Sequence, residues 1–252
     1  MRGLTLVALA AAFAIPCTAA SAADMARPVY KATPAPVAFN WSGLYVGGHA
    51  GWGWDQGNGT EIIVISAAPP AIPIGTTRSN NRDGFLGGAQ IGFNWQAPGS
   101  PWVFGVDADW SWTDASTSSP VAAPGIINTT FSDTNWYATV TGRIGYAVDT
   151  WLWYVKGGVA FMDVDYKSTT VAGAGIFTSN SISDTRTGWT IGGGVEQAFA
   201  TNWSWKLEYN YLDFGSQNYS FTTTVAGVTS TAVNDLEEKV HVVKFGLNYR
   251  FR

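Results

Sequence analysis

Charged side chains recur at alternate positions within segments that are otherwise apolar and aromatic. Asp107 and Asp109, for example, alternate with Val106, Ala108 and Trp110. Nine charges in the chain occupy positions of this kind: Asp107, Asp109, Arg143, Lys156, Glu196, Lys206, Glu208, Lys244 and Arg250. Four acids and five bases on one face of a sheet predict either a paired polar core or a narrow path for ions.

Other chemistry has little support in the sequence. His49 and His241 are the two histidines, and neither has the spacing to a nucleophile and an orienting acid that a hydrolase needs. The aspartate pairs 107/109 and 163/165 lack the glycine and terminal glutamate of a calcium loop. We therefore predict no catalytic residue, no metal site and no enzymatic activity.

The elements that hold the charges are predicted to be strands, because apolar residues recur with a period of two. Eight such segments follow one another: Trp41–Trp54, Gly84–Trp95, Trp102–Trp112, Asn135–Val148, Trp151–Met162, Arg186–Gln197, Trp203–Phe214 and Val240–Phe251. One face of each segment is apolar, and the other combines glycine with polar residues. Charged residues make up 13% of the chain, about half the share usual in soluble domains.

Tryptophan indicates which face points outward. All 13 tryptophans are assigned to the apolar face, near the strand ends: Trp41, Trp52, Trp54, Trp95, Trp102, Trp110, Trp112, Trp136, Trp151, Trp153, Trp189, Trp203 and Trp205. An apolar band between two aromatic girdles is typical of a transmembrane barrel. From Trp41 to Trp52 a tilted strand rises about 28 Å, close to the ~25 Å apolar band of such barrels.

The connections alternate between long and short. Long segments follow the first, third, fifth and seventh strands, and short ones follow the second, fourth and sixth. The predicted fold is therefore an all-β, eight-stranded antiparallel transmembrane β-barrel with four long extracellular loops and three short periplasmic turns. Most charges of the long loops are acidic, and Asp55 and Glu238 are counted among these exposed acids.

The first residues have the pattern of an export signal. Residues 1–22 combine Arg2, a twelve-residue apolar run and an A-x-A cleavage site, which predicts a mature start at Ala23. Residues 23–40 are rich in proline and alanine and predict a periplasmic linker before a barrel at 41–252. With a net charge of −4 and no basic patch, we expect no nucleic-acid partner.

Four segments resemble the small alpha-proteobacterial outer-membrane β-barrel protein family. They are WSGLYVGGHAG from Trp41, YVKGGVAF from Tyr154, LEYNY from Leu207 and KFGLNYRF from Lys244. The family includes immunogenic surface proteins, porin-like proteins and hemin-binding proteins. One departure is Arg252, which follows the terminal aromatic Phe251 read by the assembly machinery in such barrels.

The resemblance implies an outer-membrane protein of Gram-negative bacteria with a structural or surface role. Weak porin activity is compatible with that role, and the alternative is a surface receptor that binds hemin through the extracellular loops. For the receptor, His49 and His241 are the candidate iron ligands, since neutral imidazole is a common ligand of heme iron; otherwise no cofactor is expected. The expected partners are outer-membrane lipid, lipopolysaccharide and the outer-membrane assembly machinery, and the sequence leaves the oligomeric state open.

Overall fold

The computed structural model describes residues 39–56, 58–66, 77–79, 82–123, 126–172, 175–225 and 228–251. The predicted signal peptide and all but the last two residues of the predicted linker lie outside these ranges. Residues Ala38–Arg252 form one compact unit. No helix among the described residues is long and apolar enough to cross a membrane.

Eleven strands are present in the described part of the chain. They are β1 (Gly43–Asp55), β2 (Asn58–Ser66), β3 (Thr77–Ser79), β4 (Asp83–Gln96), β5 (Trp102–Thr113), β6 (Ser116–Ala123), β7 (Ile126–Val148), β8 (Trp151–Ala172), β9 (Gly175–Ala198), β10 (Trp203–Val225) and β11 (Val228–Arg250). Eight of them form an antiparallel ring in the order β1-β4-β5-β7-β8-β9-β10-β11, and β11 pairs back with β1. The predicted eight-stranded antiparallel barrel is confirmed.

The wall of the ring has its apolar face on the outside. Val106 and Trp112, for instance, are 60% and 61% exposed, while Asp107 and Asp109 between them are buried. A soluble barrel would show the reverse, because its apolar residues would fill the interior. The alternation in the sequence therefore assigned the inner and outer faces correctly.

The long strands continue well beyond the predicted ends. Strands β7 to β11 contain 22 to 24 residues, whereas the eight predicted segments contain 11 to 14. Much of the sequence predicted as extracellular loop is therefore strand, and β2, β3 and β6 add to this extension. The sequence alternation persists there in Ser-, Thr- and Val-rich segments without the lipid-facing aromatics that marked the shorter strands.

Glycine on the inner face of this narrow ring is needed where neighbouring backbones approach closely. A Cβ on Gly158 would overlap the carbonyl oxygen of Val140, whereas a Cβ on Gly142 would have no heavy atom within 4 Å. We expect Gly158→Ala to reduce the yield of folded barrel sharply, since the clash is with backbone. Gly142→Ala, on the outer face, is the control and should leave the yield of folded barrel close to that of the wild type. Heat-modifiable gel mobility after refolding measures both, and equal yields would contradict the prediction.

Candidate functional site in the barrel interior

The nine predicted inward charges all lie inside the barrel, and none is more than 6% exposed. We call them the lower ionic layer: Asp107, Asp109, Arg143, Lys156, Glu196, Lys206, Glu208, Lys244 and Arg250. The period of two places them there, because every second side chain of a ring strand points inward. Their contacts divide into two groups, one around Glu208 and one around Glu196.

Glu208 is the centre of the first group. Its carboxylate lies 3.1 Å from Lys156 Nζ, 3.0 Å from Lys206 Nζ and 3.5 Å from Lys244 Nζ. The hydroxyl of Tyr154 donates to it at 2.7 Å. Asp107 and Asp109 complete the group, since Lys156 contacts both and Lys244 Nζ lies 3.0 Å from Asp109. Three lysines thus face three carboxylates, so the group is neutral when all six side chains are ionised.

Glu196 is the centre of the second group, nearer the periplasmic end. It pairs with Arg143 at 3.4 Å and with Arg250 at 3.2 Å. The Arg143 guanidinium also lies over the rings of Tyr45 and Tyr154, at 4.9 and 5.0 Å. Both arginines are therefore held by a carboxylate and by aromatic faces, as expected of cations removed from water.

Trp41 does not lie on the outer face with the girdle tryptophans, and this part of the prediction is wrong. Its side chain is fully buried and packs against Val103 and Leu152 inside the periplasmic mouth. The Arg250 guanidinium lies 4.5 Å from its ring centroid, and its backbone N–H donates to Gln96 at 2.8 Å. The reason is that Trp41 shares the odd-numbered phase of Tyr45 and His49, whose side chains are buried inside, whereas the outward residues of β1 are even-numbered.

The other twelve tryptophans lie on the outer face. Eight are 41–61% exposed: Trp52, Trp95, Trp102, Trp110, Trp112, Trp153, Trp189 and Trp203. The remaining four are half-buried by neighbouring rings on the same face: Trp54, Trp136, Trp151 and Trp205. Trp136, for example, stacks on Trp110 with 4.3 Å between ring centroids.

Above the lower ionic layer the interior is apolar. Six buried side chains from five strands meet there, and we call them the apolar septum: Leu86, Tyr137, Met162, Leu212, Phe214 and Val242. Lys244 Nζ lies 5.9 Å from the Tyr137 ring on the lower side. The septum helps to line a cavity of about 30 Å³, which is room for a water or two. This layer was not predicted from the sequence.

A second group of charges lies above the septum and outside the span between the two tryptophan girdles. We call Asp55, Arg82, Tyr166, Arg186 and Glu238 the upper cluster. Arg82 bonds Asp55 at 2.6 Å and also Glu238, and the Tyr166 hydroxyl donates to Glu238 at 2.7 Å. Arg186 is fully buried and donates to the backbone carbonyls of Gly215 and Leu236.

The upper cluster corrects the assignment of Asp55 and Glu238 as exposed loop acids, because they are 5% and 0% exposed. The signal that identifies them is present in the sequence. Asp55 is in phase with the inward positions of β1, and Glu238 is in phase with Lys244 on β11. Continuing the period of two past the girdle, rather than ending the strands there, would have placed both inside.

Burial raises the pKa of Glu238 to about 8; the Arg82 guanidinium opposes this shift and the Asp55 carboxylate adds to it. An unfolded glutamate titrates near pH 4.3. Between these two values the native chain retains a proton that the unfolded chain has released. The free energy of unfolding should therefore fall as pH rises from about 4.5 to 8.

We expect Glu238→Gln to remove this part of the pH dependence, as measured by urea unfolding at several pH values in detergent. Glu237→Gln is the matched control, since the Glu237 side chain is 38% exposed and pairs with Lys239. Parallel pH profiles for the wild type and Glu238→Gln would contradict the prediction.

The two histidines lie on opposite sides of the barrel wall. His49 points inward and its Nε2 lies 2.7 Å from Ser111 Oγ. His241 is on the outer face, where it stacks on Trp54 at 5.6 Å and its Nδ1 lies 2.7 Å from the Tyr209 hydroxyl. They cannot bind the same iron. No group of three or more His, Cys, Asp or Glu side chains suited to a metal ion occurs within the described ranges.

The sequence of this chain is similar to those of known outer-membrane proteins. Residues 5–251 match the family model of the outer membrane protein beta-barrel domain. The chain is 33% identical to the 31 kDa outer-membrane immunogenic protein of Brucella melitensis and 26% identical to the 25 kDa outer-membrane immunogenic protein of Brucella abortus, each over the full length of both chains. Among solved structures, Ail of Yersinia pestis is 14% identical, with a TM-score of 0.37 over 83% of this chain and 99% of Ail.

Proposed function

Because this chain belongs to the outer-membrane β-barrel protein family, we propose that it is a closed structural barrel, without enzymatic activity, that carries a β-sheet extension on the cell surface. It is an outer-membrane protein, as its relatives are. The single observation that carries the proposal is the filled interior. An ion crossing the barrel would meet buried salt bridges, then an apolar layer, then a second ionic cluster.

Each layer opposes conduction for a different physical reason. The lower ionic layer pairs its charges with one another, so it offers a passing ion little unpaired charge. The apolar septum presents mainly hydrocarbon, and the Tyr137 hydroxyl is the one oxygen among its six side chains, so it replaces little of a passing ion's hydration shell. Eight strands also give an interior only wide enough for side chains to fill.

Planar-bilayer recording of the refolded mature protein tests this proposal. We expect no steady channels from the wild type in protein shown by gel mobility to be folded. The same silence is expected of Lys244→Ala, because the septum above it is unchanged. Steady channels whose ion selectivity changes in Lys244→Ala would show instead that the lumen is a weak porin.

Hemin binding is the alternative, and in the described interior it has no support. His49 is 6% exposed among paired side chains, so it has no room for a porphyrin. Ligation by the described residues would depend on His241, whose ring lies between Trp54 and Tyr211 at the outer girdle. A Soret shift on adding hemin to the folded protein that is lost in His241→Ala would favour this alternative.

A further inference from the structure

Above the outer girdle the strands of the ring continue as two half-sheets that share no ladder in the described part of the chain. The β9–β10 ladder ends at the Trp189–Asp213 pair, and the last pair between β4 and the continuation of β5 into β6 is Asp83–Ser116. In the order of the ring, these two junctions lie on opposite sides. The first half-sheet therefore consists of β6 with the outer parts of β7, β8 and β9, and the second consists of β2 and β3 with the outer parts of β10 and β11.

Side chains, rather than a backbone ladder, join the two half-sheets across the β9–β10 junction. The Tyr166 hydroxyl of the first half-sheet donates to Glu238 of the second at 2.7 Å. The Tyr219 hydroxyl of the second donates to Asp184 of the first at 2.5 Å. Arg186 of the first donates to one backbone carbonyl of β10 and one of β11, at 3.0 Å each. We call these five side chains the clasp.

The clasp and the rest of the upper cluster contain one carboxyl group more than they contain guanidinium groups. The carboxyl groups belong to Asp55, Asp184 and Glu238, and the guanidinium groups belong to Arg82 and Arg186. Together they are neutral when one carboxyl retains a proton, and they carry one net negative charge when all three are ionised. Glu238 is the central carboxyl, because it is fully buried, bonds Arg82 and lies 3.9 Å from Arg186.

Every element packed against Glu238 brings a charged or titratable group toward it. Burial raises the pKa of Glu238 to about 8, so this carboxyl is the one expected to retain the proton. The groups that face it are Asp55 on β1, Arg82 before β4, Tyr166 on β8, Asp184 and Arg186 on β9, and Tyr219 on β10.

We propose that the clasp is a proton-dependent switch, which holds the half-sheets together while Glu238 is protonated and releases them when Glu238 ionises. A buried carboxylate lacks hydration, and separation of the half-sheets would restore it. In the separated state Glu238 titrates near its ordinary value, so a rise in pH stabilises that state relative to the joined one. The expected hinge is the β10 bulge between Asp213 and Ser216, where Gly215 has a φ of 64°. The septum lies below the clasp, so the proposal does not depend on whether the lumen conducts.

Spin labels placed across the junction test the proposal directly. The one cysteine of the chain is Cys17, so a protein produced from Ala23 onward can be labelled at introduced cysteines alone. Thr185 on β9 and Asn218 on β10 are exposed and belong to different half-sheets. In Thr185→Cys/Asn218→Cys, double electron–electron resonance in bilayers should show a longer distance that grows in between about pH 5 and pH 9.5, with a midpoint near pH 8. In Thr185→Cys/Lys167→Cys both labels lie on the first half-sheet, and their distance should not change.

Two glutamate variants of the labelled protein identify the group that titrates. Glu238→Gln is uncharged at every pH and should keep the short distance at alkaline pH. Glu237→Gln is the matched control on the same strand, since Glu237 is 38% exposed, and it should keep the wild-type transition. Equal distances at both ends of the pH range in the protein with Glu238, or an unchanged transition in folded Glu238→Gln, would overturn the proposal. If Glu238→Gln yields no folded barrel, the comparison of the two label pairs decides it.

Discussion

Glu208→Ala should destabilise the barrel by about 3–5 kcal/mol, the usual effect of removing one partner from a buried ionic group. Glu208 is 2% exposed and, among the residues that the structure describes, is the one carboxylate that contacts Lys156, Lys206 and Lys244 together. Without it, three buried ammonium groups would share two aspartates. Lys206 would lose its carboxylate contact at 3.0 Å.

Urea unfolding of the refolded protein in detergent, followed by tryptophan fluorescence, measures this effect. Glu237→Ala is the matched control, because Glu237 also pairs with a lysine, at 2.5 Å, but its side chain is 38% exposed. The control should lose no more than about 1 kcal/mol, as exposed ion pairs do. Equal decreases in the free energy of unfolding in the two variants would mean that the charges of the lower ionic layer are hydrated and interact weakly. That result would contradict a filled interior.

Arg82→Ala should lower the free energy of unfolding by a similar amount, but the destabilisation should be confined to a smaller part of the barrel. Arg82 is 2% exposed and joins Asp55 at the end of β1 to Glu238 on β11, so its removal leaves two carboxyl groups buried side by side. We expect a loss of about 3–5 kcal/mol. The loss should concentrate above the septum, because the lower ionic layer keeps all its contacts.

Hydrogen exchange distinguishes this local effect from a general one. In Arg82→Ala, amides at the outer ends of β1 and β4 should exchange faster, while those of β5 beside Asp107 should keep their protection. Lys167→Ala is the control, since Lys167 is 53% exposed and its ion pair with Asp133 spans 3.5 Å. Uniformly faster exchange through the barrel would contradict the layered interior.

The fold was predictable because lipid imposes a simple pattern on the wall. Between the girdles every second residue faces hydrocarbon, so apolar and polar residues alternate strongly. The sequence then shows both the period of two and which face of the strand points to lipid. Above the girdle both faces of a strand contact water or protein. The difference in polarity between the two faces is therefore smaller there, and the strands are rich in Ser, Thr and Val. This is why the long strands β7 to β11 were predicted too short.

The errors at the site have related causes. Asp55 and Glu238 were assigned to loops because the strands were ended at the last tryptophan, although the inward phase continues through both. Trp41 was assigned to the girdle by residue type alone, whereas its partner Arg250 is near the other end of the sequence. The septum could not be predicted, because Leu86, Met162 and Leu212 become one layer only when the relative stagger of the strands is known.

The seam between β1 and β11 has a consequence for how the barrel is made. Its pairs, such as Tyr45 with Arg250, join residues about 200 positions apart, whereas every other neighbour in the ring is the next ring strand along the chain. Closing so long a loop costs about 4–5 kcal/mol of chain entropy before any ladder bond forms. An unclosed sheet would also present two bare edges to hydrocarbon, where no water can satisfy them. Closure of this seam is therefore expected to be the slow, committing step of biogenesis, and a chain that stalls before it should be the form most exposed to degradation.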